Sequence, residues 1–229
     1  MAVGTAPGTT VTAEAAPQSV KQATYERFQQ ALLSGRLRPG QIVSQRQMTA
    51  MLGVSVGALR ELLPRLEAEG LLTVLPQRGI QITAIDLPMI RDAFQLRAAY
   101  EREAVIAAVR RLSDDVLNAQ RALHLDIVER IKSDPTAAVL AEGQDIDFGF
   151  HDLLIENTRN ELLINAYNVN VIRIRLINLD RILLNSEVLP AAFADHFAVI
   201  DAILARDVQR SMEAMDRHIQ NARQRAIAF

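Results

Sequence analysis

The period of the chain changes at Ile85–Leu87. Before that point short apolar runs are broken by turn signals; from Asp86 onward apolar side chains recur every three or four residues through six long stretches, with no alternating segment among them. A 3.6-residue period sustained over about 140 residues can bury its apolar faces only by packing helix on helix, so this part must be an all-α bundle. Ser113-Asp114-Asp115, Asp134-Pro135, Asn160 and Asp207 are the start signals that divide it. Apolar residues make up 49% of the sequence, enough to fill such a core. Cysteine is absent, which excludes disulfides and thiolate metal sites, so any metal must be held by nitrogen and oxygen.

Residues 19–85 follow a different plan. "SVKQATYERFQQALLSG" has helical spacing and Gly35 to end it; "SQRQMTAMLG" gives a short helix with Ser44 as N-cap and Gly53 as terminator. A third helix begins at Ser55, with Leu59, Leu62, Leu63 and Leu66 on its inner side, and Pro64 predicts a bend or an early end. "LLTVL", "PQRG" and "IQITAI" then read as a hairpin. That order is a winged helix-turn-helix, with the glycine such turns favour in "LGVS". The expected whole is mainly α: a flexible tail over 1–18, a winged helix-turn-helix over 19–85, and a six-helix bundle over 86–229.

Charge is distributed unevenly. Residues 19–85 carry eight Lys/Arg against four Glu, whereas the bundle is net acidic. A basic module joined to an acidic one suggests a polyanion-binding head on another function. No stretch approaches the ~18 apolar residues of a membrane span, and the small, polar start does not read as a signal peptide. The expectation is a cytoplasmic protein with no membrane partner.

Across "SGRLRPGQIVSQRQMTAMLGVSVGALRELLPRLEAEGLLTVLPQRGIQI" several spaced elements occur in order: Gly35-x-Leu37-x-Pro39-Gly40, Leu52 to Ser55, Arg60 to Leu71, and Arg78-Gly79. This segment resembles the DNA-binding domain of GntR-family transcription regulators. The helical remainder resembles the FadR-type effector (FCD) domain of that family, and six helices without an additional interdomain helix look most like its VanR-type subgroup. The resemblance implies a homodimer whose two heads read the half-sites of a double-stranded operator, repression relieved by an effector being the commoner mode.

The chemistry of the head fits. A recognition helix enters the major groove by its N-terminal turn, where Arg60 could reach phosphate or guanine. Arg46 could contact the backbone, the Ser55 hydroxyl and helix N-terminus suit a phosphate, and Arg78-Gly79 at the wing tip could enter the minor groove. The family commonly has Arg after its Val-Ser; here Val56 stands there and could touch a thymine methyl instead.

In "DFGFHDLL", Asp147 and His151 share one helical face. Alone, the pair is better explained by a surface contact worth a few tenths of a kcal/mol (~0.2–0.5). His196 and His218 recur on later helices, and imidazole with carboxylate suits Zn, Ni, Mn or Fe. The resemblance implies that Asp147, His151, His196 and His218 hold a divalent ion, zinc first among the candidates. His124 matches no pattern and is expected to be an ordinary surface or core histidine.

Four such ligands leave positions open, which could accept a small organic acid. Arg97, which with Glu101 resembles the family's Arg-x-x-x-Glu pattern, is the cation expected to bind it; a plain i,i+4 salt bridge is the other reading. Tyr100, Asn168 and Arg173 are further candidates for the effector pocket, although polar residues on apolar helices can equally face a neighbour or water. The expected function is effector-modulated DNA binding without enzymatic activity. The competing readings are a sensor for which the metal is itself the signal and a metalloenzyme on a bundle, the latter disfavoured by the lack of a His-Glu-x-x-His general base.

Overall fold

The structure, a computed structural model, describes residues 19–182 and 185–228, so the tail expected over 1–18 lies outside the described residues. Helix α1 (Val20–Leu33) is capped by the Ser19 side chain and buries Tyr25, Phe28, Ala31 and Leu32. Strand β1 (Ile42–Val43) leads into α2 (Gln45–Leu52), which opens on a capping box between Ser44 and Gln47. Gly53 ends α2 in the left-handed region at φ 63°, a conformation glycine adopts without penalty.

Helix α3 (Val56–Ala68) starts from the Ser55 cap and runs unbroken through Pro64, so the early termination expected there does not occur. The cost of an interior proline, about 3 kcal/mol, is outweighed by packing: Leu59, Leu62, Leu63 and Leu66 are all buried against α1, α2 and the sheet. Arg60, four residues before the proline, is exposed, so water can take the carbonyl that loses its partner.

Strands β2 (Leu72–Leu75) and β3 (Gly79–Ile82) form the hairpin, with Leu75 opposite Gly79. β1 adds to the far side of β3 through Val43 opposite Ile80, giving sheet order β1-β3-β2. A Cβ on residue 79 would stand 2.6 Å from the Val43 carbonyl oxygen, and φ there is +112°. Only glycine fits this junction of wing and β1.

The remaining described residues form α4 (Leu87–Arg111), α5 (Asp114–Ser133), α6 (Ala137–Glu156), α7 (Glu161–Ile177), α8 (Val188–Leu204) and α9 (Val208–Ile227). Asp86, Ser113, Thr136, Asn160 and Asp207 each cap the helix they precede. α7 continues into a π-helical stretch, Asn178–Ile182. α4 packs along α9 and against α6 and α7; α8 packs on α9, and α5 on α6 and α8. Arg102 clamps Asp216 between α4 and α9 with bonds of 2.8–3.0 Å. None of the helices among the described residues is long and apolar enough to cross a membrane.

Candidate functional site

Two surfaces of chemical interest emerge, one on the winged domain and one inside the bundle. On the winged domain several arginines serve the fold. Arg27 donates to the Gly53 carbonyl at 2.7 Å and Arg36 to the Met51 carbonyl at 3.0 Å, fixing the turn between α2 and α3. Arg65 stacks 3.7 Å over the Tyr25 ring and pairs with Glu69. Arg46, Arg60 and Arg78, in contrast, are exposed and have no side-chain partner among the described residues. Ser55 and Val56 lie exposed at the N-terminus of α3, Val56 with 47% of its surface open, and Gly79 sits at the wing. These three cations stand on α2, α3 and the wing tip, elements that can meet a duplex; Lys21 on α1 and Arg38 before β1 are likewise exposed without a side-chain partner among the described residues.

Inside the bundle, five polar side chains from four helices converge without water-exposed surface to speak of. Asp147 and His151 come from α6, His196 from α8, His218 from α9 and His124 from α5, and all are buried. One nitrogen each of His151, His196 and His218 lies within 4.8 Å of the others. Asp147 Oδ1 stands 3.6 Å from His196 Nε2, at the edge of this group. Phe150 and Phe193 box the His124 ring edge-on at 5.2 and 4.9 Å.

Each of the three converging imidazoles turns Nδ1 towards an outer partner. His151 Nδ1 is 2.6 Å from Glu101 Oε2, His196 Nδ1 is 3.0 Å from His124 Nε2, and His218 Nδ1 is 3.7 Å from Asp195 Oδ2, just beyond hydrogen-bond reach. His196 Nε2 and both nitrogens of His218 have no hydrogen-bond partner although fully enclosed. A guanidinium only donates, so Arg97 at 2.7 Å from His151 Nε2 requires a lone pair on that nitrogen and a proton on Nδ1, facing the Glu101 carboxylate.

The electrostatics favour neutral rings. Burial drives His196 well below the usual histidine range, and the neighbouring rings of His218, His151 and His124 add to the effect. Burial likewise lowers His218, and holds His124 at about 4. Burial would raise Glu101, but Arg97 and His151 outweigh it and leave the carboxyl at about 2. Neutral imidazoles are the form that ligates a divalent metal, and an ionised Glu101 is the form that accepts the His151 Nδ1 proton.

Such nitrogens fit an ion on chemical grounds. Buried polar atoms are nearly always satisfied, and an unpaired one costs about 1–3 kcal/mol. Here one unpaired nitrogen of His196 and one of His218 lie together beside a carboxylate, and the outer partners match the support that metal-ligating histidines receive.

The other candidates for an effector pocket lie elsewhere. Tyr100 is partly buried on α4, and its phenol is close enough to influence Arg173 on α7. Arg173 donates to the Glu69 carbonyl, the C-cap of α3. Asn168 is exposed and lines a cleft of about 510 Å³ between the winged domain and α7, together with Tyr25, Arg65, Asp152 and Arg175. Only Arg97 among the four reaches the histidines. The residue that sequence reasoning passed over is His124; its bond to His196, 72 positions away, has no local signature.

Comparison with known proteins agrees with this anatomy. Residues 20–82 match the model of the bacterial regulatory proteins of the gntR family, and residues 92–221 match the FCD domain. The HTH-type transcriptional repressor GlaR of Escherichia coli is 26% identical over 200 residues, covering 85% of this chain and 90% of GlaR. The Nta operon transcriptional regulator of Aminobacter aminovorans is 31% identical over 143 residues, 62% of this chain and 66% of that protein. E. coli McbR/YncC superposes with a TM-score of 0.68 at 17% identity, covering 89% of this chain and 95% of the other. The metal-free FCD domain of TM0439 gives 0.50 at 22% identity over 63% of this chain and 96% of that one, and at these identities the likeness is one of fold. With a gntR-family match over the winged domain and an FCD match spanning more than half its length, the chain belongs to the FCD-domain branch of the GntR family, the DNA-binding transcriptional regulators.

Proposed function

We propose that this regulator holds a divalent ion among Asp147, His151, His196 and His218, and that a small organic acid bound there changes how a homodimer grips its operator. The observation that carries the reading is the set of enclosed, unpartnered nitrogens on His196 and His218 beside Asp147. Zinc suits the ligand set best, and nickel, manganese and iron share it. Such an ion would supply a Lewis-acidic point for a carboxylate oxygen. Arg97 would supply the second positive group: once withdrawn from His151 Nε2 it remains tethered through Nε to Glu101 at 2.7 Å.

Among the described residues, a hydrogen bond links the bundle to the end of α3 in the reading head. Asn170 on α7 donates to the Ala93 carbonyl of α4, one turn before Arg97, and Arg173 on the same helix holds the C-cap carbonyl of α3. A shift of α4 at the site can thus be carried by α7 to the recognition helix. In this reading Ser55, Val56 and Arg60 face the major groove, Arg46 the phosphates, and Arg78-Gly79 the minor groove. Two heads related by a dyad would bind two half-sites. Likeness to the repressor GlaR favours repression as the resting activity.

The test is DNA binding by metal-replete protein, on a duplex selected by the protein from a random pool, challenged with C2–C6 hydroxy and dicarboxylic acids. At least one acid should change the affinity by roughly 5–150-fold, and stripping the metal should abolish that response. Unchanged affinity across the panel contradicts the proposal. One observation favours a second reading, in which the ion is itself the signal: Arg97 occupies His151 Nε2 and has to leave before that nitrogen can ligate. DNA affinity that follows free metal without any acid would select it.

A further inference from the structure

We propose that His124 is a positioning residue for the metal centre, fixing His196 in the tautomer that presents the Nε2 lone pair to the ion. The inference rests on the metal reading above, and follows from a chain of hydrogen bonds whose direction is set at one end. The Gln120 carbonyl can only accept, so His124 Nδ1, 2.7 Å away, carries the proton. A neutral imidazole with Nδ1–H has an acceptor at Nε2. That acceptor is 3.0 Å from His196 Nδ1, which must then donate. His196 is left with an unprotonated Nε2, the enclosed and unpartnered nitrogen that faces Asp147.

The direction of the relay matters because the other tautomer would block the site. With hydrogen on Nε2, His196 would aim a proton and no lone pair at the ion, and a small approach to the Asp147 carboxylate, now 3.6 Å away, would tie up both ligand atoms together. His151 is set in the same sense by a different device, the Glu101 carboxylate on its Nδ1. The site thus uses a carboxylate for one ring and a neutral histidine for the next. His124 is itself kept rigid by the edges of Phe150 and Phe193 and by its place on α5, so it can hold a direction as well as accept a proton.

The experiment uses the intact chain, ¹⁵N-labelled at its four histidines, with His124→Phe and His124→Gln beside it. Nitrogen shifts of the metal-free proteins report the His196 tautomer, and Zn²⁺ competition against a chelator reports affinity. In the wild type, His196 should show Nδ1–H. His124→Phe fills the aromatic box without an acceptor, and should move His196 towards Nε2–H and weaken Zn²⁺ binding about 10–100-fold. His124→Gln offers an amide oxygen to the same proton and should recover most of both. An Nε2–H tautomer in the wild type, or an unaltered tautomer in the Phe variant, overturns the proposal even if Zn²⁺ binds. Equal losses in Phe and Gln variants with the tautomer retained would reduce His124 to packing and overturn it too. A wild type with the expected tautomer that takes up no Zn²⁺ instead overturns the metal reading on which the proposal stands.

Discussion

Arg97 answers to two partners at once, donating Nε to Glu101 and another nitrogen to His151, in a place from which water is excluded. Removing one member of a buried ion pair leaves the other uncompensated, typically a loss of about 3–5 kcal/mol. Arg97→Met should therefore destabilise the metal-free protein by that order in urea unfolding, and an unchanged midpoint would show that Glu101 finds another partner. The neutral histidines carry a pH signature as well. His124 lies at about 4 when folded against an ordinary 6.5, so the unfolded chain binds the extra proton between those values. Stability should then be full above pH 6.5 and fall on acidification towards pH 4, by about 3 kcal/mol for this residue alone; His196 and His218 shift in the same direction and steepen the loss. A metal-free protein equally stable at pH 7 and pH 5 would contradict this. At this scale spacing drew attention to Asp147 and His151 and recurrence to His196 and His218, and the family resemblance joined the four into one expected site. The sequence could not show His124, whose significance is created only when α5 meets α8.

Among the elements, legibility followed local chemistry. Each bundle helix begins at a side-chain cap or an adjacent signal visible in the sequence, except α8, whose N-cap Glu187 makes no side-chain bond. β1 was not legible because two residues cannot display alternation, and the π-helical turn after α7 has no marker in its residues. Pro64 was legible in part: a local rule predicted a bend or an early end, and four buried leucines carry the helix past it without the end. The wing is the opposite case, where one residue decides. Gly79→Ala must leave its left-handed conformation or push against the Val43 carbonyl, so the winged domain should lose roughly 1–3 kcal/mol, read by thermal melting, and DNA affinity should drop with it. A variant with the parent's melting temperature would mean β1 can move away without cost.

For the molecule as a whole, the union of head and bundle was the least legible part, since it depends on contacts between segments far apart in sequence. Arg173, a candidate for the pocket on sequence grounds, spans to the end of α3, where Glu69 is held within the head by Tyr25 of α1 at 2.7 Å. The resemblance in the head and the periodicity of the bundle nevertheless sufficed to name the mainly α fold and the family. On the DNA side, Arg60→Ala should weaken operator binding by about 1–3 kcal/mol. If Arg60 reads a base, sequence discrimination relaxes at one position; if it holds phosphate, all duplexes weaken alike, and the parent's affinity in the variant would remove Arg60 from the interface. The central claim, that the buried histidines hold an ion, is tested most directly by elemental analysis of the dialysed protein beside His196→Ala and His218→Ala. One equivalent of divalent metal per chain is predicted for the parent and well under half for each folded variant; a parent without metal after saturation with Zn²⁺, or variants that keep a full equivalent, would contradict it.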